Sequence, residues 1–344
     1  MVLVSSSLWN KDQWKDGYMS IEQTNNIKGI FAILILLSHS VTIIHVDGPL
    51  NELYLIARRY FNQTVVVMFL FYSGYGMTES FKRKRVPYIR SMFRRRILPL
   101  YLKFLISLIL YIVVNACFLE LPSRDTLVQA LFGLTDIGNY GWYMLDIVLL
   151  YIFFVVAFYS GSLFRNTRVG YLASASVLTL FTVLLILILR CYAYKGSWFY
   201  NTVLLFPAGV WYSFLKNRID VLLEDKVRYI LSCVATVLVY ILCSMRSKYS
   251  LIFYLMWFCV FAGIVVLISM RVRIRSRILG FFGGLVFPLF LIQGITYISL
   301  SHFGINESYP YLFVISAFFI NVGLAALFEK ATSPISRVTA IGTK

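Results

Sequence analysis

Ten apolar segments, each close to 20 residues long, limit the possible folds of this chain more than any other feature of its sequence. They cover approximately 27–44, 61–78, 97–119, 141–163, 169–189, 198–215, 227–244, 250–269, 278–299 and 309–328. A helix needs about 20 predominantly apolar residues to cross the hydrocarbon core of a bilayer. Because 60% of the residues are apolar and only 14% are charged, a soluble fold would lack polar residues to cover its surface. The sequence therefore predicts an all-α integral membrane protein with about ten transmembrane helices in one bundle.

Positive charge is concentrated in two of the connections between these segments. Lys82–Arg96 contains eight Lys and Arg residues, and Arg271–Arg277 contains four Arg residues. Loops rich in Lys and Arg stay in the cytoplasm, which also explains the net charge of +17 without a nucleic acid partner. An even number of spans then places both termini in the cytoplasm. We predict cytoplasmic tails over 1–26 and 329–344 that flank a membrane domain over 27–328.

The cysteine residues indicate neither a disulfide framework nor a metal site. All five lie apart, in or beside apolar segments, with no Cys-x-x-Cys spacing and no paired Cys and His. We therefore expect no bound metal.

His39 is the histidine that lies well inside an apolar segment. Lys28 precedes it by eleven residues, which is close to three helical turns, so both residues share one helix face at roughly 16 Å along the axis. This spacing predicts Lys28 at the cytoplasmic surface and His39 deep in the membrane. A neutral imidazole is suited to act as a general base there. The alternatives are a packing histidine and a lysine that extends to the membrane surface.

A dense group of cations follows the second segment. Guanidinium groups bind phosphate oxygens through two parallel hydrogen bonds, so this group is a candidate phosphate site. It is equally explained as a topology signal or as a contact with anionic lipid headgroups. The candidate phosphate ligands are Lys82, Arg85, Arg94, Arg95 and Arg96.

Five motifs in order along the chain resemble those of acyltransferase family 3, the multi-spanning O-acetyltransferases of bacterial surface polysaccharides. Lys28 and His39 are similar to the R-x10-H element of that family, with Lys in place of the usual Arg. The other four matches are 69–75 to F-F-x-x-S-G-[FY], 96–101 to R-I-x-P-x-Y, 142–151 to W-[FY]-L...Y and 286–293 to S-Y-x-x-Y-L-x-H. Gln293 stands at the position of the late His, and Asp146 is the carboxylate nearest to the acidic position of many members.

The resemblance implies transfer of an acyl group, usually acetyl, from cytosolic acetyl-CoA or another acyl-CoA to a hydroxyl of a surface or lipid-linked glycan. It implies a multi-pass protein of the bacterial plasma membrane, in contact with lipids. In the active site His39 would be the general base, and Lys28 would neutralise a donor phosphate. The implied acceptor-binding residues are Ser73, Trp142, Asp146, Tyr151 and Gln293.

Two other functions fit a chain of this composition. A transporter or flippase for a lipid-linked sugar would also have many spans and basic inner loops. Acids within the segments are few, with Glu79 and Asp146 near segment ends, so a proton relay has little support. In a structural or sensing subunit, Lys28 and His39 would have no catalytic role.

Overall fold

A computed structural model describes residues 3–6, 17–44, 51–52, 55 and 63–340 of the chain. Residues 1–2 and 7–16 of the predicted amino-terminal tail, 61–62 of the second predicted segment and 341–344 of the carboxyl-terminal tail lie outside the described residues. The helices are α1 (Ile21–Ser40), α2 (Thr64–Lys84), α3 (Val86–Met92), α4 (Leu98–Phe118), α5 (Arg124–Leu131), α6 (Trp142–Gly161), α7 (Thr167–Leu187), α8 (Leu205–Leu222), α9 (Lys226–Arg246), α10 (Leu251–Ser269), α11 (Arg277–Gly284), α12 (Val286–His302), α13 (Ile305–Ser308) and α14 (Pro310–Ala340). The prediction of an all-α protein is confirmed.

Six helical segments are long and apolar enough to cross a membrane, as judged from length and composition over the described residues. They are Val86–Phe118, Trp142–Gly161, Thr167–Tyr192, Lys226–Arg246, Leu251–Ser269 and Pro310–Ala340. Helices α11 and α12, which meet at a bend of 73°, would add a seventh if they form one span. Helices α1, α2 and α8 correspond to three further predicted segments, but their polar residues keep them outside this set. The count of ten and the cytoplasmic position of both termini stay predictions.

Helix α9 shows most clearly that the solvent of these helices is lipid. Only 6% of the most apolar stretch of this helix is buried inside the protein. Its exposed large side chains include Ile230, Leu231, Val234, Val237, Leu238 and Ile241. An apolar surface of this kind is stable against lipid tails and would promote aggregation in water.

The described residues form two compact units. The first unit contains Met1–Ile30, Val66–Ile89 and Ile152–Gly283, and the second contains Phe31–Val65, Arg90–Tyr151 and Gly284–Lys344. The boundaries between the units fall within helices α1, α3 and α6, and near one end of α2 and α11.

In the first unit, helices α2 and α8 pack backbone against backbone. A Cβ atom on Gly74 would overlap the carbonyl oxygen of Phe206, and one on Gly209 would overlap the carbonyl oxygen of Phe71. Small residues at helix contacts allow this close approach, which in lipid replaces the hydrophobic effect as a source of packing energy.

The first unit also contains a short two-stranded ribbon, which the apolar segments of the sequence did not predict. Strand β1 (Leu3–Ser6) pairs antiparallel with strand β2 (Val272–Arg275), with Leu3 opposite Arg275. Gln23 of α1 extends the pairing, because its Nε2 donates to the Val272 carbonyl at 2.8 Å and its Oε1 accepts from the Ile274 amide at 2.9 Å. The ribbon thus joins part of the predicted tail to the predicted basic loop.

The second unit has α12 packed against both α4 and α14. Tyr297, Phe313 and Ala317 form a buried apolar cluster between α12 and α14. Lys103 of α4, at a position within the predicted segment 97–119, is buried and paired with Glu329 of α14 at 2.7 and 2.9 Å. The pair explains how α4 carries an ammonium group among apolar neighbours.

Candidate functional site

His39 lies next to the last residue of α1, in the second unit. Its ring packs against the ring of Tyr140, with the centroids 4.3 Å apart and the planes tilted by 55°. Its Nδ1 atom is buried and has no hydrogen-bond partner among the described residues. A buried polar atom without a partner costs about 1–3 kcal/mol, so it marks a place where a bound molecule gains a hydrogen bond.

The segment that places Tyr140 against His39 is a turn-rich connection between α5 and α6, residues 132–141, which we call the Tyr140 loop. Side chains of the loop accept hydrogen bonds from some of its backbone amides: Asp136 Oδ1 accepts from the amides of Gly138 at 2.7 Å and Tyr140 at 3.1 Å. Asn115 of α4 donates from Nδ2 to the Ile137 carbonyl at 3.0 Å. These bonds allow irregular backbone to lie inside the protein.

Tyr140 itself has an unusual backbone conformation. Its φ angle is 52°, in the left-handed region that disfavours residues with a side chain. Such a residue costs about 1–3 kcal/mol and persists only where its surroundings hold it, which is most frequent at functional sites. Burial, and then the Asp136 carboxylate, raises the pKa of the Tyr140 hydroxyl above its usual value. The hydroxyl is therefore protonated at neutral pH and available as a donor.

The Tyr140 loop packs on one face of α12. Phe290, Gly294 and Tyr297 share this face because their spacing of four and three residues matches the helical period. A Cβ atom on Gly294 would overlap the Gly138 carbonyl oxygen. The hydroxyl of Tyr297 donates to the Leu36 carbonyl of α1 at 2.9 Å, one turn before His39. The loop, α12 and the end of α1 therefore meet at His39.

Aromatic rings continue from Tyr140 along this surface. The Phe290 ring lies 6.4 Å from Tyr140, 4.9 Å from Tyr143 and 6.2 Å from Trp142, measured between centroids. The predicted acceptor residue Trp142 thus belongs to the aromatic cluster that reaches His39 through Tyr140.

Two more predicted acceptor residues are buried polar groups of the second unit. Asp146 is completely buried, and within the described residues neither of its carboxylate oxygens has a hydrogen-bond partner. Gln293 is also completely buried, and its amide oxygen and nitrogen likewise have no partner in that part of the chain. Among the residues that the structure describes, no hydrogen bond joins either of them to His39. Tyr151 is buried in the same unit, about two and a half turns after Trp142 in α6.

Four other predicted site residues belong to the first unit. Lys28 is half-buried in α1, and Ser73 is half-buried in α2. The Lys82 ammonium contacts Glu79 Oε1 at 2.8 Å and donates to the Ser213 carbonyl at 2.6 Å. Arg85 forms a hydrogen bond to the Tyr171 hydroxyl and lies over its ring. Lys82 and Arg85 are thus both engaged by the protein itself.

Arg94, Arg95 and Arg96 lie in a π-helical turn, Phe93–Ile97, in the second unit. All three are exposed. Single π-helical turns are frequent at functional sites. This turn presents three successive guanidinium groups within one short segment, which suits an anionic ligand.

Sequence reasoning missed Tyr140, Phe290, Asn139 and Tyr297. A local signal exists for the first of these, because Asp136-Ile137-Gly138-Asn139-Tyr140-Gly141 is rich in turn-forming residues. Nothing in the sequence indicates that this turn packs on a helix 150 residues later.

No group of three or more His, Cys, Asp and Glu side chains within the described part of the chain is arranged to hold a metal ion.

Comparison with known proteins identifies the family. A family model described as an acyltransferase domain matches residues 21–330, which include His39, the Tyr140 loop and α12. No curated protein and no solved structure matches the chain. Because the family model covers most of the chain, the protein is a membrane acyltransferase that belongs to acyltransferase family 3.

Proposed function

We propose that this protein transfers an acyl group, in the first place acetyl, from cytosolic acyl-CoA to a hydroxyl of a surface or lipid-linked glycan, with His39 as the general base. The observation that carries the proposal is the buried, unpartnered Nδ1 atom of His39 in a member of an acyltransferase family. We place the reaction in the plasma membrane of a bacterium, where cytosolic donor and surface glycan precursors are both available.

The proposed reaction needs one proton acceptor beside the acceptor hydroxyl. His39 takes the hydroxyl proton while the oxygen attacks the thioester carbonyl. The bond between the carbonyl carbon and the sulfur of CoA breaks, and the leaving thiolate receives a proton. The products are an ester and the free CoA thiol.

Unsatisfied polar atoms support a glycan as the acceptor class. A sugar ring carries several hydroxyl groups, each of which donates and accepts hydrogen bonds. The second unit offers buried partners of both kinds, since Asp146 accepts, Asn139 Nδ2 donates and Gln293 does both. The rings of Trp142 and Phe290 add an aromatic surface of the kind that binds amphipathic molecules. An apolar acceptor would leave these polar groups unpaired.

For the donor we propose that Arg94, Arg95 and Arg96 bind the phosphates of CoA. Their exposure supports this role. Lys82 and Arg85 are further candidates, and each also contacts protein groups. Lys28 would neutralise a phosphate roughly 16 Å below His39 along α1, a distance comparable to the extended pantetheine arm. Tyr151 and Ser73 stay candidate acceptor contacts.

Family membership favours this enzyme over a lipid-linked sugar flippase. The deciding experiment uses purified protein in lipid nanodiscs with acetyl-CoA and a glycan-bearing membrane extract. We expect release of CoA thiol together with an acetylated glycan detected by mass spectrometry, and loss of both with His39→Ala. Movement of the sugar lipid without thiol release would instead support the flippase.

A further inference from the structure

The ring of Tyr140 takes up the space directly beside the His39 imidazole. Within the described residues of the second unit, Tyr140 is also the one non-glycine residue with a positive φ angle. The left-handed conformation is unfavourable for a residue with an aromatic side chain and brings no local stabilisation. We therefore attribute the strained backbone of Tyr140 to the position that it gives to the ring.

The Tyr140 loop is built to hold that ring in place. Asp136 fixes two amides of the loop, including that of Tyr140, and Asn139 Oδ1 accepts from the Ile137 amide at 3.2 Å. The close contact between Gly138 and Gly294 fixes the loop on α12. Support from several directions is typical of a pre-organised site.

A base that removes a proton from a sugar hydroxyl also removes one from water, which is far more concentrated. Water would lose its proton to His39, its oxygen would attack the thioester carbon, and the bond to sulfur would break. CoA thiolate would take up the proton, and the acyl group would be lost as a free carboxylic acid. A transferase therefore has to keep water away from its base until the acceptor is bound.

We infer that Tyr140 determines the choice between transfer and hydrolysis: its ring excludes water from His39, so that the acyl group passes to the acceptor. This inference rests on the proposed function. Tyr140 acts through His39 and is a positioning residue, and the ring, not the hydroxyl, carries the effect.

The test measures the partition between hydrolysis and transfer in nanodiscs, as free acetate and acetylated glycan formed from labelled acetyl-CoA. We expect Tyr140→Gly to raise this partition by about tenfold or more, equivalent to about 1.4 kcal/mol of lost discrimination. Because glycine also relieves the positive φ angle, part of the stability lost with the ring is recovered, and the partition is measured below the unfolding temperature of the variant. A purely structural role of Tyr140 predicts no such rise.

Three further variants isolate the ring. Tyr140→Phe keeps the ring and should keep the parent partition. Gly294→Ala leaves Tyr140 and His39 unchanged but displaces the loop, so it should raise the partition as Tyr140→Gly does. The matched control is Tyr194→Gly, which relieves a φ angle of 48° at an exposed residue of the first unit. This control should behave as the parent.

An unchanged partition in an active Tyr140→Gly variant would overturn the inference while leaving the proposed function intact. A parent protein whose acetyl-CoA consumption does not depend on His39 would overturn the proposed function, and the inference with it. A rise in the partition for Tyr140→Phe as large as that for Tyr140→Gly would assign the effect to the hydroxyl and would also refute the role of the ring.

Discussion

Replacement of His39 by Ala separates a catalytic role from a packing role, because the two roles predict different sizes of effect. Loss of a general base slows a reaction by about 10²–10⁴-fold. At about 1.4 kcal/mol for each factor of ten, this equals roughly 3–5 kcal/mol in activation free energy. A packing histidine would instead lower the free energy of unfolding and leave the rate of the folded protein unchanged.

The structure limits how much stability the substitution removes. His39 Nδ1 forms no hydrogen bond within the described residues, so none is lost there. The contact with the Tyr140 ring is worth about 0.5–1.5 kcal/mol beyond buried area. Removal of an unpaired buried nitrogen offsets part of this loss. We therefore expect His39→Ala to fold and insert, with a change in unfolding free energy of about 1 kcal/mol.

The assay combines the initial rate of CoA thiol release in the presence of acceptor with the thermal unfolding midpoint in the same nanodiscs. His302→Ala is the matched control, since His302 also contacts an aromatic ring, that of Phe118, with the centroids 5.1 Å apart, and donates from Nδ1 to the Phe118 carbonyl at 3.0 Å. We expect the control to keep its activity. A His39→Ala protein with a rate within about threefold of the parent would refute the catalytic assignment.

Three further predictions concern charged residues. Lys28→Arg should keep activity, whereas Lys28→Ala should weaken acyl-CoA binding more than turnover. If Lys28→Ala and the parent bind acyl-CoA equally well at low ionic strength, where screening is least, Lys28 is a topology residue only. Replacement of Arg94–Arg96 by Gln should leave insertion intact, as measured by cysteine accessibility, because the nearby Lys and Arg residues remain. The same variant should bind a CoA analogue far more weakly, since each charge-assisted contact is worth about 1.5–3 kcal/mol, and unchanged affinity would exclude this turn from the donor site. Glu329→Ala leaves the buried Lys103 ammonium unpaired, whereas Lys103→Ala leaves a Glu329 side chain that is 36% exposed. Glu329→Ala should therefore lower the thermal unfolding midpoint more than Lys103→Ala, by at most the equivalent of about 3–5 kcal/mol. Equal shifts of the two midpoints would contradict this expectation.

The helices were predictable from sequence because lipid imposes one simple condition on each span. The predicted segment 227–244 corresponds to Lys226–Arg246, and 250–269 corresponds to Leu251–Ser269. Apart from its two ends, the backbone of a helix is hydrogen-bonded within that helix, so a long apolar segment is enough to indicate such a span. Helix α1 begins at Ile21, before its predicted apolar segment, because Gln23 pairs with the ribbon and Asn25 donates to Gly280 at 2.9 Å.

The surroundings of His39 could not be predicted in the same way. His39 was found because a histidine is unusual in an apolar segment. The Tyr140 loop is held by Asn115 and Gly294, which lie far from it in the sequence, and such bonds have no periodic pattern. The partner of Lys103 was missed for the same reason, since Glu329 follows it by 226 residues.

The reciprocal glycine contact between α2 and α8 has a consequence for natural variation in this family. Each helix places a carbonyl oxygen where the other would carry a Cβ atom, at Gly74 and at Gly209. One alanine is enough to push both helices apart, and a second alanine then enters space that is already open. We expect the two substitutions to be strongly non-additive, with the double variant only slightly less stable than either single one. Relatives that lost one of these glycines would then be under little selection to keep the other, so the two positions should change together during evolution.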